Sequence, residues 1–289
     1  MPEIVDEVNV GRWKEIATSA RWSLRVLSQV RDPAEGSPFD EVNPIHTEKA
    51  SDWCRGFLDA SAEHMGHWAD FAAPLKWHPE HVVNHTFRPT QTLARAAMES
   101  AAQAVWIMAP DRPYECARRH LCLIRWDYSE YRKSLPANRK HIAREQDKRL
   151  LDGVRQHFAE DQLRPPNYLS VLRDTASVVG RDPDEVEVIW RASSGSAHGK
   201  RWPAHALQRV TPGDEYEPGQ FRTLLMPDPR AMTRALDIAD ALLTYGVSRF
   251  LQLSGTDFAA AHQDAMQWLQ SVVPMTAGAD SPASPDAPQ

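Results

Sequence analysis

Apolar residues recur at three- and four-residue steps along most of this chain, a period that predicts helices rather than strands. Residues 11–30 place Trp13, Ile16, Ala17, Ala20, Leu24 and Leu27 on one stripe. Thr47 then opens a second helix carrying Trp53, Phe57, Leu58, Met65 and Trp68, which ends near Pro74. A third follows Pro89, and its Ala94, Ala97, Ala101 and Ala104 make one side nearly flat. Such a face lets neighbours approach closely, so this helix is expected at the centre of a bundle. Two more helices are expected over roughly 114–134 and 138–162, and a short one over Tyr168 to Val179. Asp182 as N-cap with Pro183 in the first helical position starts another, to about Ala197. Between 203 and 227 the texture changes: two apolar runs flank TPGDEYEPG, which reads as a β-hairpin with a long loop. Helices then return from Pro229 (Met232, Leu236, Ala239, Leu243, Val247, Phe250) and from Thr256 to Val272.

The expected fold is therefore mainly α, a helical bundle with a small β-hairpin near 203–227. Residues 1–44 read as an N-terminal helix and loop, 45–274 as the bundle and 275–289, dense in Pro, Ser, Ala and Asp, as a disordered tail. The length of 289 residues suffices for one large core. No apolar run reaches the ~18 residues of a membrane span, and the acidic N-terminus lacks a secretory h-region. Three cysteines without a CxxC pair suit a reducing compartment, so a cytoplasmic protein is expected. There is no GxGxxG, GxxxxGK[ST] or GxSxG, which disfavours the common nucleotide folds and serine hydrolases. No cofactor is expected.

Charge is uneven. Asp32 to Asp70 holds nine acidic and two basic residues, whereas Arg118 to Arg149 holds ten basic and four acidic ones. The second stretch is either a set of partners for neighbouring helices or a basic groove for a phosphate-bearing ligand.

The most informative segment is Ile189-Trp-Arg-Ala-Ser-Ser-Gly-Ser-Ala-His-Gly199. Arg191 and His198 stand nearly two turns apart, about 10 Å along the axis, and so share a face. Small residues lie between them, and Gly199 is placed to be the C′ glycine, with Lys200 and Arg201 beside it. An imidazole can move a proton to or from a ribose or leaving oxygen near neutral pH, and a guanidinium can hold phosphate through two hydrogen bonds. The alternative is a packed helix end with a hydrogen-bonded histidine.

Arg191-x6-His198 at the end of a helix in a helical chain resembles the HEPN superfamily, over roughly residues 45–255. That resemblance implies a helical bundle, a homodimer, and metal-independent cleavage of RNA or binding of a nucleotide phosphate. It also implies a toxin or defence effector of abortive-infection type, with an antitoxin protein as possible partner. Arg191 and His198 would be the catalytic pair, near the two-fold axis. Ala192 stands where the family often has a polar residue, which favours the competing reading of a non-catalytic helical interaction protein.

Other candidates extend the picture. Arg95 and Glu99, four apart among small and apolar neighbours, must be paired with each other or with Arg118, Arg119 or His198. Arg95, Glu99, Arg118 and Arg119, with Lys200 and Arg201, are candidate substrate-binding groups. His64, His67, His78, His81 and His85 form a histidine-rich stretch that zinc could use, although no HExxH is present; no metal is expected. The alanine-rich helix and the helix over 229–253 are the expected sources of a dimer face.

Overall fold

The computed structural model describes residues 7–30, 32–75 and 86–273. It is mainly helical. Helices α1 (Glu7–Gln29), α3 (Ala50–Ala72), α4 (Phe87–Met108) and α10 (Pro229–Ser254) form the centre, α4 lying against both α3 and α10 and α1 closing over α3 and α10. Helices α7 (Tyr168–Val178) and α8 (Pro183–Ala197) cover another side of α4. Helix α5 (Pro113–Ser134) pairs with α6 (Lys140–Val154), short α2 (Pro38–Val42) reaches α5 and α10, and α11 (Phe258–Val272) packs on α1.

The flat face of α4 explains the arrangement. Ala94, Ala97, Ala101 and Ala104 are fully enclosed. Gly246 of α10 sits where an added Cβ would lie 2.6 Å from Leu58 Cδ2 and 3.3 Å from Val105 Cγ2. A larger residue here would have to displace Leu58 and Val105 from the seam where α10 lies against α3 and α4. Both helices expected to supply a dimer face thus bury their apolar faces inside the chain; α10 alone buries Leu236, Leu243, Val247 and Phe250.

The hairpin is present, with one difference. Ala204–Leu207 is a short helix (α9), and the strands are β1 (Gln208–Glu217) and β2 (Gln220–Pro227), paired antiparallel from Gln208↔Pro227 to Glu217↔Gln220. His205-Ala-Leu, read as the start of a strand, forms a helical turn because Pro203 pre-sets φ there and its carbonyl accepts from both Ala206 and Leu207 N–H. Helix α6 also ends earlier than the apolar stripe suggested, at Val154, and Phe158 is buried from a separate turn. The expectations for residues 275–289 and for His78, His81 and His85 lie outside the described residues.

Candidate nucleic-acid interface

Helix α8 begins and ends as its sequence dictates. Asp182 caps it by accepting from Asp184 N–H at 3.0 Å. At the other end His198 is the last capping residue and Gly199 takes φ +69°, with Lys200 N–H donating to Gly195 C=O and Gly199 N–H to Ser196 C=O. That is the two-bond closure that favours glycine at the left-handed position. His198, Lys200 and Arg201 are all exposed there, beside the negative end of the helix dipole.

The small residues between Arg191 and His198 serve packing. Ala192, Ser193, Gly195 and Ser196 are buried, and a Cβ on Gly195 would meet Pro203 Cγ at 2.8 Å and Trp202 Cζ2 at 3.0 Å. The chain after Gly199 folds back onto α8, and side chains at these positions would push it off.

Arg191 projects outward and is not free. Its Nε donates to Glu187 Oε1 at 2.7 Å, and its guanidinium lies 5.8 Å from the Trp190 ring centroid. Glu187 also accepts from Arg173 Nη1 at 2.7 Å; the hydrogen bond from Arg191 first, then that from Arg173, holds its carboxyl below the ordinary glutamate value. Arg173 reaches Asp184 as well, at 2.7 Å.

Trp190 joins two of the candidate sites. Its Nε1–H donates to Glu99 Oε1 at 2.7 Å, the same carboxylate that Arg95 contacts at 2.8 Å, and the Arg95 guanidinium lies 5.9 Å from the Trp190 ring. The indole is therefore flanked by Arg95 and Arg191, a geometry in which the ring quadrupole attracts both cations. Tyr168 extends the surface: its ring lies 4.4 Å from that of Trp126. Burial, and then the charge of Glu99, raises the Tyr168 phenol above its ordinary pKa. Trp126 is half-buried, whereas Trp106 is buried with its Nε1–H on Asp174.

Arg118 and Arg119 lie apart from this surface and are committed internally. Arg118 grips Glu115 and the carbonyl of Gln162, while Arg119 donates to the Trp106 carbonyl and stacks 5.0 Å from that ring. The Arg118 hydrogen bond chiefly lowers the Glu115 pKa.

The charge run from 118 to 149 instead builds a cleft further along the same helices. Arg125, Tyr128, Ser129 and Arg132 of α5 face Ala143, Arg144 and Asp147 of α6, with Pro165 at the edge, around a hollow of about 210 Å³. Arg125 is neutralised by Asp147 at 2.7 and 3.1 Å. Arg132 and Arg144 have no carboxylate partner among the described residues. The signal in the sequence is the 125/128/129/132 spacing, one face of α5, within the basic run.

Tyr128 also borders a second hollow of about 360 Å³, lined by His46, Glu48, Gln146 and Arg149. Its hydroxyl donates to Glu48 Oε1 at 2.7 Å; burial first, then Glu48, raises its pKa. Glu48 also accepts from Trp53 Nε1, and its own backbone N–H donates to His46 Nδ1 at 3.1 Å, which leaves the His46 proton on Nε2. His120 behind it is buried against Trp53, and desolvation drives its pKa down to about 3, so it stays neutral.

Cys54, Cys116 and Cys122 are free and buried, and desolvation raises all three, Cys116 and Cys122 to about 11. Among the described residues no group of three or more His, Cys, Asp or Glu could hold a metal ion; His64 is half-buried and His67 exposed. No described helix is long and apolar enough to cross a membrane.

Fold and surface together define a mainly α protein with a small hairpin and a cleft of arginines beside an aromatic surface. Comparison with protein-family models, curated proteins and solved structures finds no match to the chain.

Proposed function

We propose that this protein binds single-stranded RNA, with phosphates held in the α5–α6 cleft and bases laid on the neighbouring aromatic side chains. The observation that carries this reading is the pair Arg132 and Arg144, two uncompensated guanidiniums lining one hollow. A guanidinium that no carboxylate occupies can take a phosphate without first breaking an ion pair. Tyr168 and Trp126 supply aromatic surface of the kind on which single strands stack irrespective of sequence.

The HEPN resemblance adds chemistry at the end of α8. His198 would take the proton of a ribose 2′-OH as that oxygen attacks phosphorus, and a second proton donor would supply the departing 5′-oxygen, leaving a cyclic phosphate and a free hydroxyl. A second His198 across a homodimer axis is the natural donor. Arg191 would leave Glu187 to stabilise the charge on the phosphoryl oxygens. A non-catalytic reading, in which the chain only binds RNA or a partner protein, is favoured by the Arg191–Glu187 bond, which occupies the guanidinium in the free protein.

Labelled RNA incubated with the protein in EDTA separates the two. We expect cleavage to fall by at least ~100-fold in His198→Ala, the order seen when a general base is lost, while RNA affinity stays within ~3-fold, since His198 is not among the residues that line the cleft. Equal cleavage by both proteins removes His198 from the chemistry and leaves the binding function standing.

A further inference from the structure

The hairpin is a two-stranded arm on which each described side chain between Arg209 and Leu225 is exposed. Its register sorts those side chains onto two faces. Val210 stands opposite Leu225, and Thr223 and Phe221 follow Leu225 at two-residue steps, so Val210, Phe221 and Leu225 share one face. They are 55%, 54% and 50% exposed. A two-stranded ribbon is marginal in water by itself, and a small sheet becomes stable with three or more strands and an apolar face.

The two free edges of the arm differ. That of β1 is interrupted, because Pro212 has no N–H and the register shifts between Pro212 and Glu217. That of β2 is continuous. Asp228 N–H donates to Leu207 C=O at 3.2 Å, which makes theirs a hydrogen-bonded pair. By alternation Val210↔Leu225 and Pro212↔Thr223 are pairs without mutual hydrogen bonds. The N–H and C=O of Phe221, Thr223 and Leu225 therefore point away from β1, to the open edge. No proline or acidic residue lies between Phe221 and Met226 to blunt it.

We propose that this edge pairs with β2 of a second copy of the chain, antiparallel about a two-fold axis at Thr223, to make a four-stranded sheet. The sequence Phe-Arg-Thr-Leu-Leu is complementary to itself in that register. Thr223 meets its own copy, and Phe221 meets Leu225 of the second copy on the apolar face. All three positions have outward N–H and C=O groups, so the two edges exchange about six main-chain hydrogen bonds. Charge fits the same register. The tip carries Asp214, Glu215 and Glu217 with no basic residue between Val210 and Phe221, while Arg230 at the base has no ion-pair partner among the described residues. Pairing about Thr223 sets Glu217 opposite Pro229 of the second copy, next to Arg230, whereas parallel pairing would set one acidic tip on the other. The contact is isologous, as a closed dimer requires. It stands independently of the RNA reading.

Sedimentation velocity of the full chain over about 1–100 µM, where small interfaces associate, should show a monomer–dimer equilibrium. Thr223→Pro removes the N–H at the axis and no bond to β1, so it should weaken the dimer at least ~10-fold and leave the helical melting transition in place. Glu217→Lys and Arg230→Glu should each weaken it at least ~3-fold, and the two together in one chain should restore it. The native cysteines are buried, so Thr223→Cys should be joined to its copy by a short bismaleimide, whereas Thr211→Cys, on the outer strand, should not. A chain that stays monomeric at the highest concentration overturns the proposal, as does a dimer undiminished in Thr223→Pro. Equal crosslinking of Thr211→Cys and Thr223→Cys, or a charge exchange that restores nothing, overturns the register. A dimer that behaves as described and binds no RNA upholds this inference and counts against the RNA reading alone.

Discussion

Reversing both charges in Arg132→Glu/Arg144→Glu should weaken binding of a single-stranded oligouridylate by at least ~30-fold at about 50 mM salt and flatten the dependence of log Kd on log salt by about 1.4, two phosphates at ~0.7 each. Both side chains line the α5–α6 hollow, and neither is engaged by a carboxylate among the described residues. Replacing them therefore breaks no internal ion pair, and the fold should survive. Arg118→Gln is the contrasting control. That guanidinium is spent on Glu115 and the Gln162 carbonyl, so its loss should lower stability while affinity changes by less than ~3-fold. Fluorescence anisotropy at two or more salt concentrations reads both quantities.

Gly246→Val should destabilise the protein by about 3 kcal/mol, near the upper end of the cost of overpacking a core. The Cβ atom alone already meets Leu58 Cδ2 at 2.6 Å and Val105 Cγ2 at 3.3 Å, and valine adds two γ-methyl groups to that seam. Gly246→Ala is milder for two opposing reasons. Leu58 is a flexible side chain that can move a few tenths of an ångström, and alanine gains about 1 kcal/mol of helix propensity over glycine. Thermal unfolding should place the valine variant roughly 6–12 °C below wild type, at about 2–4 °C per kcal/mol for a chain of this size, and alanine close to wild type. A valine variant that melts with wild type would mean that the three helices are not in close contact at this level.

The fold was legible because helices dominate it and their period is local. The stripe Met232, Leu236, Ala239, Leu243, Val247, Phe250 is buried as its spacing implies, and the alanine face of α4 is central as its flatness implies. Local signals also located the caps at Asp182 and Gly199. What could not be read were pairings across long separations. Trp190 and Glu99 lie 91 residues apart, and Tyr128 and Glu48 lie 80 apart, so no window along the chain contains either bond. For the same reason the basic run announced an electropositive element without saying which arginines were free. Arg118 and Arg119 are used up by Glu115, three and four residues back on their own helix, an i,i+3 and i,i+4 arrangement that was visible in principle. That Asp147 would claim Arg125, and that Arg132 and Arg144 would be left, depended on how α6 folds back beside α5.

Photocrosslinking tests most directly whether RNA occupies the α5–α6 cleft, as we propose. A 4-thiouridine oligonucleotide irradiated with the full chain and mapped by mass spectrometry should attach to peptides within residues 125–149 and to Tyr168 or Trp190, and attachment at the cleft should disappear in the Arg132→Glu/Arg144→Glu protein. Crosslinks confined to other surfaces, or crosslinks at the cleft that persist undiminished in that variant, would contradict the account.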